Sequence, residues 1–423
     1  MYKRRSFLTR SVGPLTAAVA SSGFDRLLSA QSRGRSYRYS LVVKGGRVID
    51  PSEGVSDRRD IAVSGSRIAR VAESIPASDA LHVINATDRI VTPGWIDIHV
   101  HVYDGVAPLG IPADPNCIAK GVTTAIDAGS AGAHTFPGLR KYVINVADTR
   151  ILALLNISVV GQSTLSQDNP WGELLDLRYA NAALAAKTIE RHRDVIVGMK
   201  VRLTRNIAGE HDLEVLRRAR EAADAAGLPV MVHIGGSHST VPEILNLMQP
   251  GDVITHSFRG GEGGILDPQG RVLDEVLESV ASGIHLDIGH GAGSFSFDTA
   301  EKALGQGLLP GTISSDVHQF NVQGPVFDLA TTVSKFLHLG LSLEEAVRRV
   351  TANPAQVFGR LNQLGTLREG AEADIAVFAL DDGEFRLTDA LGATRTGRRL
   401  LRPVATVKAG RLYGAASIPT ERL

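Results

Sequence analysis

The sequence predicts an α/β protein: a (β/α)8 TIM barrel carrying a discontinuous small β-sandwich domain built from both termini. Three observations predict it. The middle of the 423-residue chain alternates apolar, strand-like runs with helical stretches. Both ends carry short strand-like runs punctuated by Gly and Pro instead. The first apolar run of the middle, Val91-Thr-Pro-Gly-Trp-Ile-Asp-Ile-His-Val-His101, ends in two histidines one residue apart. On a strand, residues i and i+2 share a face, so both imidazoles converge on one point. Neighbouring neutral imidazoles fill a core poorly and hold a divalent metal well.

Taken in order, residues 1–30 read as a twin-arginine export signal. Lys3-Arg4-Arg5-Ser6-Phe7-Leu8-Thr9 precedes a modest apolar stretch, and small residues suited to cleavage lie at Leu28-Ser29-Ala30. A basic amphipathic N-terminal helix is the alternative. The stretch is too short, and too rich in Ser, Gly and Ala, to span a bilayer stably. Export implies a periplasmic or extracellular protein, and this route carries folded chains that have already taken up metal.

Residues 37–92 and 362–415 are assigned to the β-sandwich. Ser40-Leu-Val-Val43, Asp60-Ile-Ala-Val63 and Arg67-Ile-Ala-Arg-Val71 open it, and Ala373-Asp-Ile-Ala-Val-Phe378 returns to it. Neither piece could bury a core alone. Residues 93–361 form the barrel, with strands expected at 95–102, 121–128, 151–160, 195–203, 229–235, 252–258, 283–289 and 312–317. Helical patterns at 213–226 and 343–350 separate them, and Asn353-Pro354 reads as a capping amide before a first-turn proline. A doubly wound sheet is the competing architecture, but no Gly-x-Gly-x-x-Gly turn follows its first strand.

Charged residues are 21% of the chain and the formal charge is zero, which gives no electrostatic footprint for nucleic acid or a polybasic membrane patch. Cys117 is the sole cysteine, so no intramolecular disulfide forms. The expected partner is a small-molecule substrate; a homo-oligomer is compatible with this reading but not required by it.

Barrel enzymes place their chemistry at the C-terminal ends of strands. Those ends carry His99 and His101 (first), Lys200 (fourth), His233 (fifth), His256 (sixth) and Asp316 (eighth). A lysine ending an apolar strand loses basicity to desolvation. Its neutral amine can capture CO2 as a carbamate, an anionic ligand able to bridge two metals. A lysine snorkelling to the barrel rim is the bland alternative. Two divalent ions, zinc being expected from imidazole-rich ligation, would generate hydroxide and polarise a carbonyl. Asp316 is then the candidate catalytic base. His290, Arg202, His318 and Asn321 are the candidate substrate-binding residues. His82, His192, His211 and His338 read as structural.

These motifs resemble the amidohydrolase superfamily, with its flanking discontinuous sandwich. Asp104-Gly-Val-Ala-Pro-Leu-Gly110, Gly289-His-Gly-Ala-Gly-Ser-Phe-Ser-Phe297 and Ser315-Asp-Val-His-Gln-Phe-Asn321 resemble, more narrowly, its amidohydrolase/deacetylase branch beside dihydroorotases. The resemblance implies that His99, His101 and Asp316 bind a buried metal and that His233 and His256 bind a more exposed one. It implies further that carboxylated Lys200 bridges the two. Ser257-Phe258-Arg259 departs from the branch, where a cysteine and a second histidine are expected. The expected activity is hydrolysis of an acyl amide or ester, such as an N-acyl amino acid or acylated hydroxy acid. A cyclic amide hydrolase of dihydroorotase or hydantoinase type is the alternative, and a non-catalytic barrel relative a remote third.

Overall fold

The computed structural model describes residues 37–165, 171–361 and 363–413. The export signal expected at 1–30 lies outside them. Five strands come first: β1 (Tyr39–Asp50), β2 (Val55–Ser64), β3 (Arg67–Ala72), β4 (Ala80–Asn85) and β5 (Ile90–Pro93). Seven follow in the middle: β6 (Trp95–Val100), β7 (Val122–Gly132), β8 (Arg150–Asn156), β9 (Ile196–Arg202), β10 (Val230–His233), β11 (Val253–Thr255) and β12 (His285–Leu286). Three close the chain: β13 (Ile375–Thr388), β14 (Thr394–Lys408) and β15 (Arg411–Tyr413).

The first and last groups share one mixed sheet, ordered β15-β14-β13-β5-β1-β2-β3, with β4 paired to β1. Inward residues of both groups, among them Val43, Val48, Ile61, Ile375 and Val407, form a single apolar core. This is why neither terminus folds as an independent flap: β5 lies between β1 and β13 and belongs to both halves. Asp50 adds a polar clasp by accepting the backbone N–H of Leu367 at 2.6 Å.

From β5 the chain passes through Gly94 directly into β6. Strands β6 to β12 form a parallel sheet in sequence order, the arrangement that βα repeats impose. Near-continuous burial of β6, β7 and β9 fits strands covered on both faces. Trp95 on β6 stacks on Phe378 of β13 with ring centroids 4.2 Å apart, joining the barrel to the mixed sheet.

Two local expectations are corrected. The eighth strand, expected at 312–317, is not a continuous ladder; two isolated parallel bridges, Asp287 to Thr312 and Val100 to Val317, close the barrel. Side chains take over much of the pairing there. Thr312 and Ser314 donate their hydroxyls to Asp287 at 2.8 and 2.7 Å, and the Ser315 hydroxyl donates to Asp97 at 2.5 Å. Asn353 does not cap a helix either. The helix Ala352–Val357 starts one residue before it, and its side-chain amide donates to the Gly311 carbonyl at 2.7 Å.

Candidate metal centre and its cavity

His99 lies on β6 and His101 just beyond it, and Asp316 reaches them from the closing segment. Their donor atoms all lie within 4.8 Å of one another, and all three residues are buried. Nε2 of His99 stands 3.3 Å, and Nε2 of His101 3.1 Å, from Oδ1 of Asp316. Nζ of Lys200 on β9 lies 3.1 Å from the same Nε2 of His99.

Hydrogen bonds behind the cluster fix the tautomers. The Thr255 hydroxyl donates to Oδ2 of Asp287 at 2.7 Å, so its oxygen can only accept from Nδ1 of His99, 2.8 Å away. His99 therefore carries its proton on Nδ1 and turns a lone pair toward Asp316. Nδ1 of His256 faces the Gly289 carbonyl at 2.6 Å, which accepts only, so Nε2 of His256 is also a lone pair. Nδ1 of His101 meets the Ser130 hydroxyl at 2.9 Å. An imidazole lone pair 3.3 Å from a carboxylate oxygen sets acceptor against acceptor. A cation between them resolves that conflict, and a set of two imidazoles and one carboxylate suits a divalent ion.

Electrostatics keep the imidazoles around the cavity neutral. Burial, more than any neighbouring charge, pushes His101 and His256 down to about 3, and His99 and His233 well below the ordinary histidine value. Burial likewise lowers Lys200 to about 7, against the opposing pull of Asp316.

The backbone is bent to suit the site. His256 and Asp316 adopt positive φ values of 64° and 47°, a left-handed conformation that costs a non-glycine residue ~1–3 kcal/mol. Gly289 is required beside them, because a Cβ there would stand 2.2 Å from the Thr255 hydroxyl and 3.0 Å from each Nδ1 of His99 and His256. At Gly129 a Cβ would lie 2.7 Å from Cβ and Cγ of Lys200, so the glycine makes room for that side chain.

A cavity of about 470 Å³ opens over the cluster, a volume suited to a small molecule. His99, His101, Lys200, His233, His256 and Asp316 all line it, as do Arg202 and His318. His233 and His256 stand edge to face with ring centroids 4.2 Å apart, outside the three-residue donor cluster.

Two expected substrate contacts fall elsewhere. His290 is buried and absent from the lining: Nδ1 faces the Gly291 carbonyl at 2.9 Å and Nε2 accepts from Nζ of Lys335 at 2.7 Å. Asn321 is also buried outside the lining. It accepts from the His318 backbone at 2.9 Å and donates to the Asp316 carbonyl at 2.8 Å, so it shapes the loop that carries both. Residues that the strand-end rule did not single out complete the wall, including Gln162, Thr204, Arg259, Ser294 and Phe320. Ser294 and Phe320 lie within the motifs quoted above and Arg259 within the departure after His256, whereas Gln162 and Thr204 carry no such signal.

A model described as the amidohydrolase family matches residues 90–412. A deacetylase of Enterococcus faecalis is 38% identical over 385 residues, covering 89% of this chain and 99% of its own. The crystal structure of an adenine deaminase superposes with a TM-score of 0.81 at 36% identity, covering 89% of this chain and 100% of that one. That of a dihydroorotase gives the same TM-score at 33% identity, covering 89% and 99%. The sandwich-flanked barrel, the donor cluster at its strand ends and these similarities agree: the chain belongs to the amidohydrolase family and is a metal-dependent hydrolase.

Proposed function

We propose that the protein is a binuclear hydrolase that cleaves an acyl amide or ester bond of a small molecule, either an N-acyl amino acid or an acylated hydroxy acid. His99, His101 and Asp316 would hold one divalent ion, zinc by the nature of the donors, and His233 and His256 would hold a second. Lys200 would be the ligand they share, as a carbamate that forms when its neutral nitrogen bonds to the carbon of CO2 and releases one proton. When bound, such ions lower the pKa of water toward ~7 and polarise a carbonyl. Asp316 takes the proton of the attacking water on a carboxylate oxygen and passes it to the departing nitrogen or oxygen. Thr255 and Gly289 keep the lone pairs of His99 and His256 turned into the site.

The observation that carries this reading is Lys200. A buried amine brought down to about 7 and set 3.1 Å from a ligand lone pair has the chemistry of a carbamate precursor. The deacetylase relative supports the acyl substrate; the dihydroorotase neighbour supports cyclic amide hydrolysis as the second reading. The N-terminal Lys3-Arg4-Arg5 run supports export of the loaded enzyme.

Metal analysis of wild type and Lys200→Ala tests the centre. Two ions per chain are expected in wild type, with metal and turnover lost together in the variant and partly restored by short carboxylic acids. Two ions and undiminished turnover in Lys200→Ala overturn it. Assays on N-acyl amino acids, acylated hydroxy acids and cyclic imides separate the two substrate readings.

A further inference from the structure

Two guanidinium groups face the cavity, and they stand in different electrostatic company. Arg202, at the end of β9, donates from Nη1 to Oε1 of Glu173 at 3.4 Å, and Glu173 is fully buried. Its positive charge is already opposed. Arg259 lies three residues beyond His256. Its Nη1 donates to the Glu262 backbone carbonyl at 2.6 Å. Among the described residues no carboxylate stands within ion-pairing distance of it, and Nε and Nη2 have no acceptor.

Arg259 is nonetheless held in place. A Cβ at Gly235 would stand 2.1 Å from Nε, 2.2 Å from Cζ and 2.5 Å from Cδ of Arg259, so the guanidinium rests on bare glycine backbone. The backbone of Arg259 is pinned as well. Its N–H donates to the His256 carbonyl at 3.1 Å, and its carbonyl accepts from the Thr299 hydroxyl at 3.1 Å. Burial pulls its pKa below the ordinary guanidinium value, with no neighbouring acid offsetting the effect. A preorganised cation of this kind matches a carboxylate, which its planar fork can bind through two hydrogen bonds. Leu109, Leu165 and Phe320 line the same cavity and provide apolar surface for the rest of such a molecule.

We propose that Arg259, seated on Gly235, is the specificity-determining residue that binds the carboxylate of the acylated acid and so selects anionic over neutral acyl substrates. This rests on the acyl-hydrolase reading above and adds the group that recognises the acid.

The test uses the full-length, metal-loaded protein and two measurements. The first is the calorimetric Kd of phenylacetate against its neutral isostere, phenylacetamide. The second is kcat/KM for an N-acetyl amino acid against its carboxamide. Loss of one charged partner from a buried pair implies a wild-type preference for the acid of ~10²-fold, abolished in Arg259→Met. Gly235→Ala, which leaves Arg259 present but displaces it, is expected to lose the preference too, and Arg202→Gln to keep it. Melting temperature and metal content verify that each variant is folded, and Gly235→Ala keeps the test decisive if Arg259→Met is not. Equal binding of acid and amide by wild type, an undiminished preference in Arg259→Met, or its loss in Arg202→Gln overturns the proposal. A wild type that binds phenylacetate through Arg259 but hydrolyses no acyl compound supports the carboxylate site while refuting the acyl-hydrolase reading. Hydrolysis with no acid preference does the reverse.

Discussion

Thr255→Val isolates the hydrogen bond that sets the tautomer of His99. Valine matches threonine in shape and removes only the hydroxyl, which accepts from Nδ1 of His99 at 2.8 Å and donates to Asp287 at 2.7 Å. Asp287 keeps its hydroxyl donors from Thr312 and Ser314, so the loss falls mainly on the imidazole. His99 then either leaves a buried N–H unpaired or moves its proton to Nε2 and ceases to be a ligand. An unsatisfied buried donor costs ~1–3 kcal/mol, or ~5- to 150-fold in an equilibrium. Changes just behind a metal ligand typically cost ~10–100-fold in affinity. The two ranges overlap, and the expected loss is ~10–100-fold in the affinity of the first metal. Titration of stripped protein against a chromogenic chelator measures it, with Thr255→Ser as the control that restores the hydroxyl. Wild-type affinity in Thr255→Val would refute the argument, since His99 would then bind metal without this partner.

Two further outcomes follow from neighbouring groups. Asp316→Asn keeps an amide oxygen for coordination but cannot accept a proton, so kcat should fall ~10²–10⁴-fold while bound metal stays near wild type. A loss under ~10-fold with full metal content assigns the base elsewhere. Lys335 is fully buried, donates to Nε2 of His290 and the Pro325 carbonyl, and is lowered by burial from 10.5 to about 7. Between those values the unfolded chain holds a proton that the folded chain lacks, so stability rises with pH. Unfolding free energies across this window should climb by up to ~1.4 kcal/mol per pH unit more in wild type than in Lys335→Met, and equal slopes would exclude the effect.

The legible part of the site follows a strict spatial period. His99 on β6 and His101 just past its end keep the two-residue spacing of a strand, and Lys200 and His233 lie on β9 and β10 as their apolar runs predict. The same logic finds His256 and Asp316 without predicting their geometry. β11 ends at Thr255, and both residues turn into the site through left-handed backbone. His and Asp tolerate that conformation better than most residues, but it stays rare for any non-glycine residue, so no sequence pattern marks where it occurs. The strand period also placed Arg202 on the face of Lys200, and it does line the cavity. Its partner, Glu173, comes from a loop 29 residues away that no periodicity marks. His290 lies outside the cavity lining for a similar reason, since Lys335, 45 residues on, claims its ring nitrogen.

The buried acids show why the frame and the chemistry are separable in this chain. Asp97 accepts from the His99 backbone at 3.2 Å and from the Ser315 backbone and hydroxyl at 3.1 and 2.5 Å, which ties β6 to the segment that presents Asp316. Asp127 accepts from the backbones of Ser130 and Val102, and Ser130 in turn meets His101. Asp287 gathers the hydroxyls of Thr255, Thr312 and Ser314 and through Thr255 orients His99. Each acid is spent on architecture, and burial pushes Asp97 and Asp287 up to about 7 and 6, outweighing their hydroxyl and backbone donors and, for Asp287, a smaller opposing pull from Lys200. A carboxylate inside an apolar strand is visible in the sequence, but whether it binds metal or holds the residues that do depends on which donors reach it. That distinction leaves Asp316, whose Oδ1 faces imidazole nitrogens rather than hydroxyls, as the strand-end acid placed in the metal-binding cluster.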